Sequence, residues 1–303
     1  MPARREPAIA RIRTWHADLL LIGVTLIWGA TFVVVQQAVS QLPPMLFLAL
    51  RFDLATVLLV LATLPRLLRR STWRAWGAGA LVGCFLFAGY AFQTIGLFLH
   101  VPAGRAAFIT GLFVVLAPLI SIWWLRNPPT LAAWAGVATA TLGLALLSLS
   151  GEFTVHLGEL LVLLCAISFA LHLVAVARYS GPHDPIVLTV AQIGVAALLN
   201  HVAAFAHGDH LPVAGISSYV WFALLLTGVG ATAIAYLLQN VLQPFTTATH
   251  TALIFTMEPV FGALFGWLLA GEALGLRGYL GGALIIAGML LAELPGHSSR
   301  AAA

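Results

Sequence analysis

The stretch DLLLIGVTLIWGATFVVVQQAV, residues 18–39, decides the fold class of this chain. It carries one charged residue, Asp18, at its first position and no further charge to its end. The hydrocarbon core of a bilayer is about 30 Å thick, so a helix that crosses it needs about 20 mostly apolar residues. Residues 18–39 therefore predict a transmembrane helix.

Similar apolar stretches recur at regular intervals through the rest of the chain. The sequence is 61% hydrophobic and only 8% charged, whereas a soluble domain carries about 25% charged residues. Such a composition excludes an ordinary soluble enzyme, because the spans leave no room for a catalytic domain in the loops. We expect ten transmembrane helices, over residues 18–39, 44–65, 75–99, 103–125, 130–150, 157–178, 185–206, 217–241, 246–270 and 275–293.

The basic residues indicate how the chain is oriented. All 14 are arginine, and with a cytoplasmic N-terminus eleven of them fall on the inner side and two, Arg105 and Arg277, on the outer side. Cytoplasmic loops carry the excess of basic residues in membrane proteins. We therefore expect a multi-pass membrane protein with cytoplasmic termini, an N-terminal segment 1–17 and a tail 294–303. Arginines spread between spans do not indicate a nucleic-acid partner. The inner set is Arg4, Arg5, Arg11, Arg13, Arg66, Arg69, Arg70, Arg74, Arg126, Arg178 and Arg300.

The two halves of the chain repeat each other. Residues of one type recur in the same order, 141 to 146 positions apart, which predicts five-helix repeats over 18–150 and 157–293. Five is odd, so the second repeat enters the membrane from the opposite side. Inverted repeats are a recurring architecture of secondary transporters, whose substrate site lies between the repeats. We expect an all-α integral membrane protein with ten transmembrane helices in two inverted five-helix repeats around a central cavity. The matched pairs include Pro44 and Pro185, Tyr90 and Tyr236, Gln93 and Gln239, Pro118 and Pro259, Gly136 and Gly281, and Gly143 and Gly288.

Several motifs resemble those of the drug/metabolite transporter superfamily, specifically its EamA-type members. They are LIWGATF (26–32), AGRAAFITGL (103–112), VVLAP (114–118), EPVF (258–261) and LLAGE (268–272). Within that superfamily the chain is similar to the YddG-like amino-acid exporters of bacterial inner membranes. The resemblance covers nearly the whole chain and implies a ten-helix fold with a central cavity that exports amino acids or related metabolites. One departure is His250, where a basic or small residue echoing Arg105 is expected.

Polar side chains within the spans are the candidates for substrate binding, because polar groups in hydrocarbon are costly and usually face a cavity or a partner. Gln93 and Gln239 are matched across the repeats, and Tyr90 and Tyr236 stand one helical turn earlier on the same faces. Amide groups both donate and accept hydrogen bonds, which suits a zwitterionic ligand. The alternative is that these glutamines only hold helices together, a common role for polar residues in membranes.

Three further residues are candidates for the cavity wall. Trp28 is an aromatic residue in the middle of the first span, and Phe32 shares its helix face one turn later. His172 is the repeat equivalent of Phe32. Each also has a structural interpretation: Trp28 as ordinary packing within the bundle, and His172 as a hydrogen-bonded packing residue rather than a proton carrier.

Charged residues and prolines within the spans are candidates for charge, gating and helix breaks. Glu258 could bind an ammonium group or a proton, or be a structural carboxylate, and Arg105 could attract a carboxylate or anchor its helix at the interface. Arg51 is interpreted as a structural residue that snorkels or pairs with another helix. The complete set comprises Arg105, His250 and Glu258 for a charge or gating role, and Pro118 and Pro259 as helix breaks that free the carbonyls of Val114 and Phe255.

These patterns favour a secondary transporter or facilitator that exports amino acids, including aromatic or hydrophobic ones, by alternating access. The alternatives are an exporter of nucleotide-related or drug-like metabolites and an integral-membrane enzyme acting on lipid-linked substrates. The sequence has no GxxxxGK[ST] loop for ATP hydrolysis. We expect a small-molecule substrate and the lipid bilayer as partners, a monomer, and neither enzymatic activity, a cofactor nor a metal.

Overall fold

A computed structural model describes residues 14–101, 103–148, 156–210, 215–270 and 275–293 of the protein. Every regular element in these residues is a helix, and the helices form ten spans, which confirms the fold class expected from the sequence. We number the spans α1 to α10 and give the parts of interrupted spans separate letters. They are α1 Thr14–Val39, α2 Pro44–Arg70, α3 Trp73–Phe98, α4a Ala103–Gly111, α4b Phe113–Trp124, α5 Leu131–Ser148, α6 Leu157–Tyr179, α7 Pro185–His207, α8 Ser218–Phe245, α9a Ala248–Phe255, α9b Met257–Ala270 and α10 Leu276–Glu293.

Seven of the spans are long and apolar enough to cross a membrane by length and composition alone. Of the remaining three, α5 and α10 contain shorter apolar helices, and α9 is divided at Thr256. The predicted and observed limits differ most in α2, which continues through Arg66 to Arg70 instead of ending at residue 65. Hydropathy marks the end of the apolar run, whereas the helix itself continues until its last carbonyl groups reach water. Residues 1–13 and the predicted tail 294–303 lie outside the described residues.

Local sequence explains where several helices begin. Asp184 caps α7, because its carboxylate accepts a hydrogen bond from the backbone N–H of Ile186 at 3.0 Å, and Pro185 occupies the first helical position, as the sequence predicts. Thr72 and Ser217 cap α3 and α8 in the same way through their hydroxyl oxygens. Gly208, in the left-handed region at φ 72°, ends α7.

The middle of α8 departs from α-helical geometry. Residues Leu226–Ile234 form a π-helical segment between the α-helical parts Ser218–Leu225 and Ala235–Leu242, and a short 3-10 turn, Gln243–Phe245, follows. The equivalent span α3 is a regular α-helix throughout. π-Helical segments are rare and frequently lie at functional sites, and this one carries two atoms that hold cavity side chains.

Packing between the repeats follows a pseudo-twofold axis. The axis relates α2 to α7 and α5 to α10, and the members of each pair pack against each other. The axis also relates α1 to α6 and α9 to α4. Accordingly, α1 packs against α9 and α6 packs against α4. The two repeats therefore pack as an inverted pair, each completing the other's surface.

Four glycines in α5 and α10 show this axis at atomic detail. A Cβ atom added to Gly136 would lie 2.6 Å from the carbonyl oxygen of Gly288, and one added to Gly143 would lie 2.6 Å from the carbonyl oxygen of Gly281. Because Gly136 is matched with Gly281 and Gly143 with Gly288, the two contacts exchange under the repeat relation. Absence of side chains lets the two backbones touch, as small residues do at helix interfaces in membranes.

Candidate functional site

A cavity lies between the two repeats, and both repeats contribute to its wall. It is lined by aromatic and other apolar side chains, interrupted by a few polar and charged groups. The space open to the centre of a water molecule is about 50 Å³, enough for a few waters at about 10–15 Å³ each. The lining residues are Trp28, Thr31, Phe32, Val35, Arg51, Tyr90, Gln93, Leu97, Thr110, Phe113, Phe169, His172, Leu173, Tyr236, Gln239, Phe255 and Glu258.

A hydrogen-bonded network of four side chains crosses the cavity wall from one repeat to the other. The Tyr236 hydroxyl donates to the Tyr90 hydroxyl at 3.0 Å. The Arg51 guanidinium donates from Nη2 to Tyr90 Oη at 3.2 Å and from Nε to Thr232 Oγ1 at 2.8 Å. It also lies 4.4 Å from the centre of the Tyr90 ring, within cation–π range. The π-helical segment of α8 thus supplies one end of the network through Thr232.

Arg51 lines the cavity, although the sequence analysis interpreted it as a structural residue. The side chain does not snorkel: it is only 2% exposed and is held inside the bundle. Within the described residues no carboxylate lies within 4 Å of it. One sequence signal could have identified Arg51. It lies within a span, and no acidic residue lies one helical turn away on the same helix to pair with it. Thr110, Phe113, Phe169 and Phe255 also line the cavity and carry no distinctive sequence signal.

The three wall candidates Trp28, Phe32 and His172 all line the cavity. The indole Nε1 of Trp28 donates to the carbonyl of Ala231 in the π-helical segment at 2.8 Å, which fixes the ring plane. His172 pairs through Nε2 with the side-chain oxygen of Gln192 at 2.8 Å. His172 is therefore a hydrogen-bonded residue, as its structural interpretation has it, and a cavity residue as well.

The matched glutamines differ in their hydrogen bonding although both line the cavity. Gln93 donates from Nε2 to the hydroxyl of Thr110 at 3.2 Å. Gln239 is 1% exposed, and its Oε1 atom has no hydrogen-bond partner in the described part of the chain. A buried acceptor without a partner is costly unless a ligand or water satisfies it. Among the described residues that line the cavity, Gln239 is thus the one with a buried polar atom left without a hydrogen-bond partner.

Both spans with a matched proline are interrupted, but the positions differ from the expectation. The interruption of α4 lies at Leu112, and Pro118 lies inside the continuous helix α4b. The interruption of α9 lies at Thr256, three residues before Pro259. A proline ring crowds the backbone of the preceding turn, so the irregular residue precedes the proline in both spans. At Leu112 the chain tightens into i→i+3 bonds, from Leu112 N to Ile109 O and from Val115 N to Leu112 O.

The three charge or gating candidates occupy different places. Glu258 lines the cavity in the first turn of α9b. His250 lies away from the cavity and bonds through Nε2 to Asp18 Oδ1 at 3.1 Å. The Arg105 backbone belongs to α4a, and its side chain lies outside the described part. Among the described residues, no three His, Cys, Asp or Glu side chains come together as metal ligands would.

Polar contacts join the two repeats at both ends of the bundle. We call the end that carries the start of α1 the amino-terminal face. There Asp18 of α1 meets His250 of α9a, and Arg66 of α2 forms an ion pair with Asp184, the cap of α7, at 3.0 Å. At the opposite face, Ser217 at the start of α8 donates to Gln41 Oε1, beyond the end of α1, at 2.7 Å. Contacts between the repeats therefore lie at both faces of the bundle, on either side of the cavity.

The comparisons with known proteins agree with this architecture. The sequence profile of the EamA-like transporter family matches residues 15–149 and again residues 156–294. The chain belongs to the EamA-like transporter family. An EamA-type protein is a membrane transporter and not an enzyme, and the chain is accordingly a multi-pass membrane transporter.

Full-length relatives of this EamA-type chain carry matching descriptions. It is 33% identical over 285 residues to an uncharacterized transporter of Archaeoglobus fulgidus, covering 93% of this chain and 87% of the relative. It is 26% identical over 283 residues to the uncharacterized inner membrane transporter YedA of Escherichia coli K12, covering 90% and 89% of the two chains. A crystal structure with 22% identity superposes with a TM-score of 0.77 over 93% of this chain and 99% of the other, which shows the shared fold.

Proposed function

We propose that this EamA-type transporter exports amino acids, including aromatic and hydrophobic ones, across a bacterial inner membrane by alternating access. The observation that carries the proposal is the cavity between the inverted repeats, with polar contacts that join one repeat to the other at both faces. Inverted-repeat transporters hold their substrate between the repeats and open it to one side at a time. The resemblance to YddG-like exporters supports the same substrate class.

The chemistry of the cavity supports a small amphipathic substrate. Aromatic walls suit an apolar side chain, and a few placed polar groups fix orientation, as in most small-molecule sites. Arg51 and Glu258 add one basic and one acidic group, and Gln93 and Gln239 add amides that donate and accept. A nucleotide-like anion would require a cluster of basic groups, and Arg51 is the only arginine along the described cavity wall.

Transport requires the cavity to enlarge. Its present volume of about 50 Å³ holds a few waters and is too small for an amino acid. Opening at the amino-terminal face would separate the two contacts Asp18–His250 and Arg66–Asp184, and opening at the opposite face would separate Ser217 from Gln41. These polar contacts are few and lie between helices, so each can be broken without unfolding a helix.

The proposal includes the organisation expected from the sequence. The repeats span 18–150 and 157–293, the amino-terminal face is cytoplasmic, and the unit that transports is a monomer. Cysteines placed singly in the loops at each face, tested with a membrane-impermeant maleimide in whole cells, will show which face is cytoplasmic.

Counterflow in liposomes tests the substrate class directly. Purified protein is reconstituted with one unlabelled amino acid inside, and uptake of the same labelled amino acid is followed for a panel of aromatic, aliphatic, polar and charged amino acids. We expect saturable counterflow for aromatic and aliphatic members that empty liposomes lack. Flux of nucleosides or drug-like cations without flux of any amino acid would replace this substrate class with the alternative one.

A further inference from the structure

We infer that the cavity binds the zwitterionic part of its substrate between two opposite charges, with the carboxylate at Arg51 and the ammonium group at Glu258. This inference rests on the proposed transport of amino acids and adds the polarity with which they bind. Arg51 lies on α2 of the first repeat and Glu258 on α9b of the second, so the substrate would join the repeats.

Arg51 has donors left for a carboxylate. A guanidinium carries five N–H donors in a planar fork that suits a carboxylate. Only Nε and Nη2 donate to described residues, to Thr232 and Tyr90, and Nη1 donates to none of them. The two existing bonds hold the plane of the guanidinium, which leaves the remaining donors in a fixed direction beside the cavity. Preorganised donors of this kind lose little freedom when they bind an anion.

Glu258 is the complementary group. Its carboxyl has no hydrogen-bond partner and no basic side chain within 4 Å among the described residues. It lies in the first turn of α9b, where the helix dipole favours a negative charge. An ammonium group entering the cavity stabilises the ionised carboxylate, because opposite charges attract more strongly in a site of low dielectric constant.

Gln239 provides the third point of contact. Its Oε1 atom lacks a partner among the described residues while its side chain lines the same cavity. An ammonium group has three N–H donors, as the lysine head group does, and a carboxylate oxygen together with an amide oxygen can accept two of them. A ligand that lacks an amino group would leave the Oε1 atom of Gln239 without a hydrogen-bond donor.

A basic and an acidic group facing one cavity select for a ligand that carries one negative and one positive charge. Each charge is costly in the hydrocarbon region while it lacks a counter-ion. A zwitterion neutralises Arg51 and Glu258 together, whereas a ligand with a single charge leaves one of them uncompensated. The site therefore discriminates against the amide and the deaminated acid of its own substrate.

Competition by matched analogues tests this polarity. Leucine counterflow is inhibited with leucine, with leucinamide, which lacks the carboxylate, and with 4-methylpentanoate, which lacks the ammonium group. If phenylalanine is the better substrate, phenylalaninamide and 3-phenylpropanoate replace the two analogues. We expect the intact amino acid to compete at least about tenfold better than either analogue, because a charge-assisted hydrogen bond contributes that much discrimination.

Two substitutions assign each charge to its end of the ligand. In Arg51→Gln the preference over the amide should fall to within about threefold, while the preference over the deaminated acid persists. In Glu258→Gln the pattern should be the reverse. Arg178→Gln and Asp53→Asn are the matched controls, since both side chains are exposed and neither lines the cavity. Arg51→Lys, which keeps the charge, substitutes if Arg51→Gln does not elute as a single species.

The outcomes separate the inference from the proposed function. If the wild-type protein catalyses no amino-acid counterflow, the proposed substrate class fails before any analogue is tested. If it does, but both substitutions weaken the amino acid and both analogues by the same factor, or leave both preferences unchanged, the assignment of carboxylate to Arg51 and ammonium to Glu258 is wrong.

Discussion

The hydroxyl of Tyr236 donates to the hydroxyl of Tyr90 at 3.0 Å, although these residues occupy matched positions in two repeats of opposite orientation. A contact between equivalent residues places the pseudo-twofold axis between them. The same Tyr90 oxygen accepts from Arg51, so the axis passes beside the one arginine that lines the described cavity wall. A movement of one repeat against the other would therefore change the contact between Tyr90 and Tyr236.

Removing the two hydroxyls should have unequal effects. Tyr236→Phe deletes one donor and should cost about 1 kcal/mol of the free energy of unfolding, a typical value for a single hydrogen bond. Tyr90→Phe should cost more, because it also leaves Arg51 Nη2 without its acceptor. Thermal unfolding in detergent of both single variants and the double variant measures these values. We expect the double variant to lie within about 0.5 kcal/mol of Tyr90→Phe; full additivity would show that the two hydroxyls act independently.

The contact between α5 and α10 should not tolerate a methyl group. In Gly136→Ala the new Cβ atom would lie 2.6 Å from the Gly288 carbonyl oxygen, and we expect a loss of about 1–3 kcal/mol in stability from overpacking. Gly77→Ala is the control, because no atom lies within 4 Å of its added Cβ atom. Replacing glycine by alanine in an open helical position is neutral or stabilises by about 0.4–1 kcal/mol. Equal melting temperatures for the two variants would contradict the close contact.

Gln239 offers a test between substrate binding and helix association. Because its Oε1 atom has no partner among the described residues, Gln239→Leu should leave the free energy of unfolding unchanged or raise it but reduce counterflow by about tenfold or more. Both quantities are measured on the same preparation.

Gln243→Leu provides the matched control for that experiment. Gln243 lies in the same span, away from the cavity; its Oε1 atom also lacks a partner among the described residues, but its Nε2 donates to Thr251 at 3.1 Å. Its loss should lower stability by about 1 kcal/mol and preserve counterflow per folded protein. If Gln239→Leu destabilises the protein as much as Gln243→Leu does and keeps its transport, Gln239 holds helices together instead.

The ion pair at the amino-terminal face can be removed without removing the helix cap. In Asp184→Asn the amide oxygen still accepts from Ile186 N, since asparagine caps helices as well as aspartate does, but the pair with Arg66 is lost. Arg66 is 40% exposed, so the pair contributes about 0.2–1 kcal/mol. Opening at this face should rise by up to about fivefold.

Maleimide labelling measures this opening. A cysteine replaces Leu173, which lines the cavity, after Cys84 and Cys165 are changed to alanine. Labelling should be faster in Asp184→Asn and unchanged in Asp53→Asn, whose parent side chain pairs with His201 away from the cavity. Slower or unchanged labelling in Asp184→Asn would mean that the ion pair does not hold this face closed.

Sequence reasoning predicted the relations that depend on order along the chain. The ten spans follow from hydropathy, and the nearly constant spacing of 141 to 146 positions between the halves predicted that Tyr90 and Tyr236, or Gly136 and Gly281, occupy equivalent places. Equivalent residues in an inverted pair lie symmetrically about one axis. Tyr90 and Tyr236 therefore contact each other, and the contact of Gly136 with Gly288 has its symmetric counterpart in that of Gly281 with Gly143.

The remaining features depend on packing that no local pattern records. The inward direction of Arg51 is set by Thr232 and Tyr90, which lie 181 and 39 residues away. His250 meets Asp18 across 232 residues. The π-helical geometry of Leu226–Ile234 arises where α8 packs against α1 and α2, and its sequence resembles any other apolar span. The interruption at Leu112 likewise precedes the proline that predicted it.

The π-helical segment of α8 has a consequence for direction. If the repeats were identical, the states open to either side would be related by the twofold axis and equal in free energy, and an empty carrier would divide its time evenly between them. Because α8 is π-helical where α3 is regular, the two states of the proposed carrier are not equivalent, and we expect the empty carrier to favour one side. Such a preference would change the rate at which substrate binds from each side. It would not change the equilibrium ratio of substrate concentrations, which the driving gradient sets.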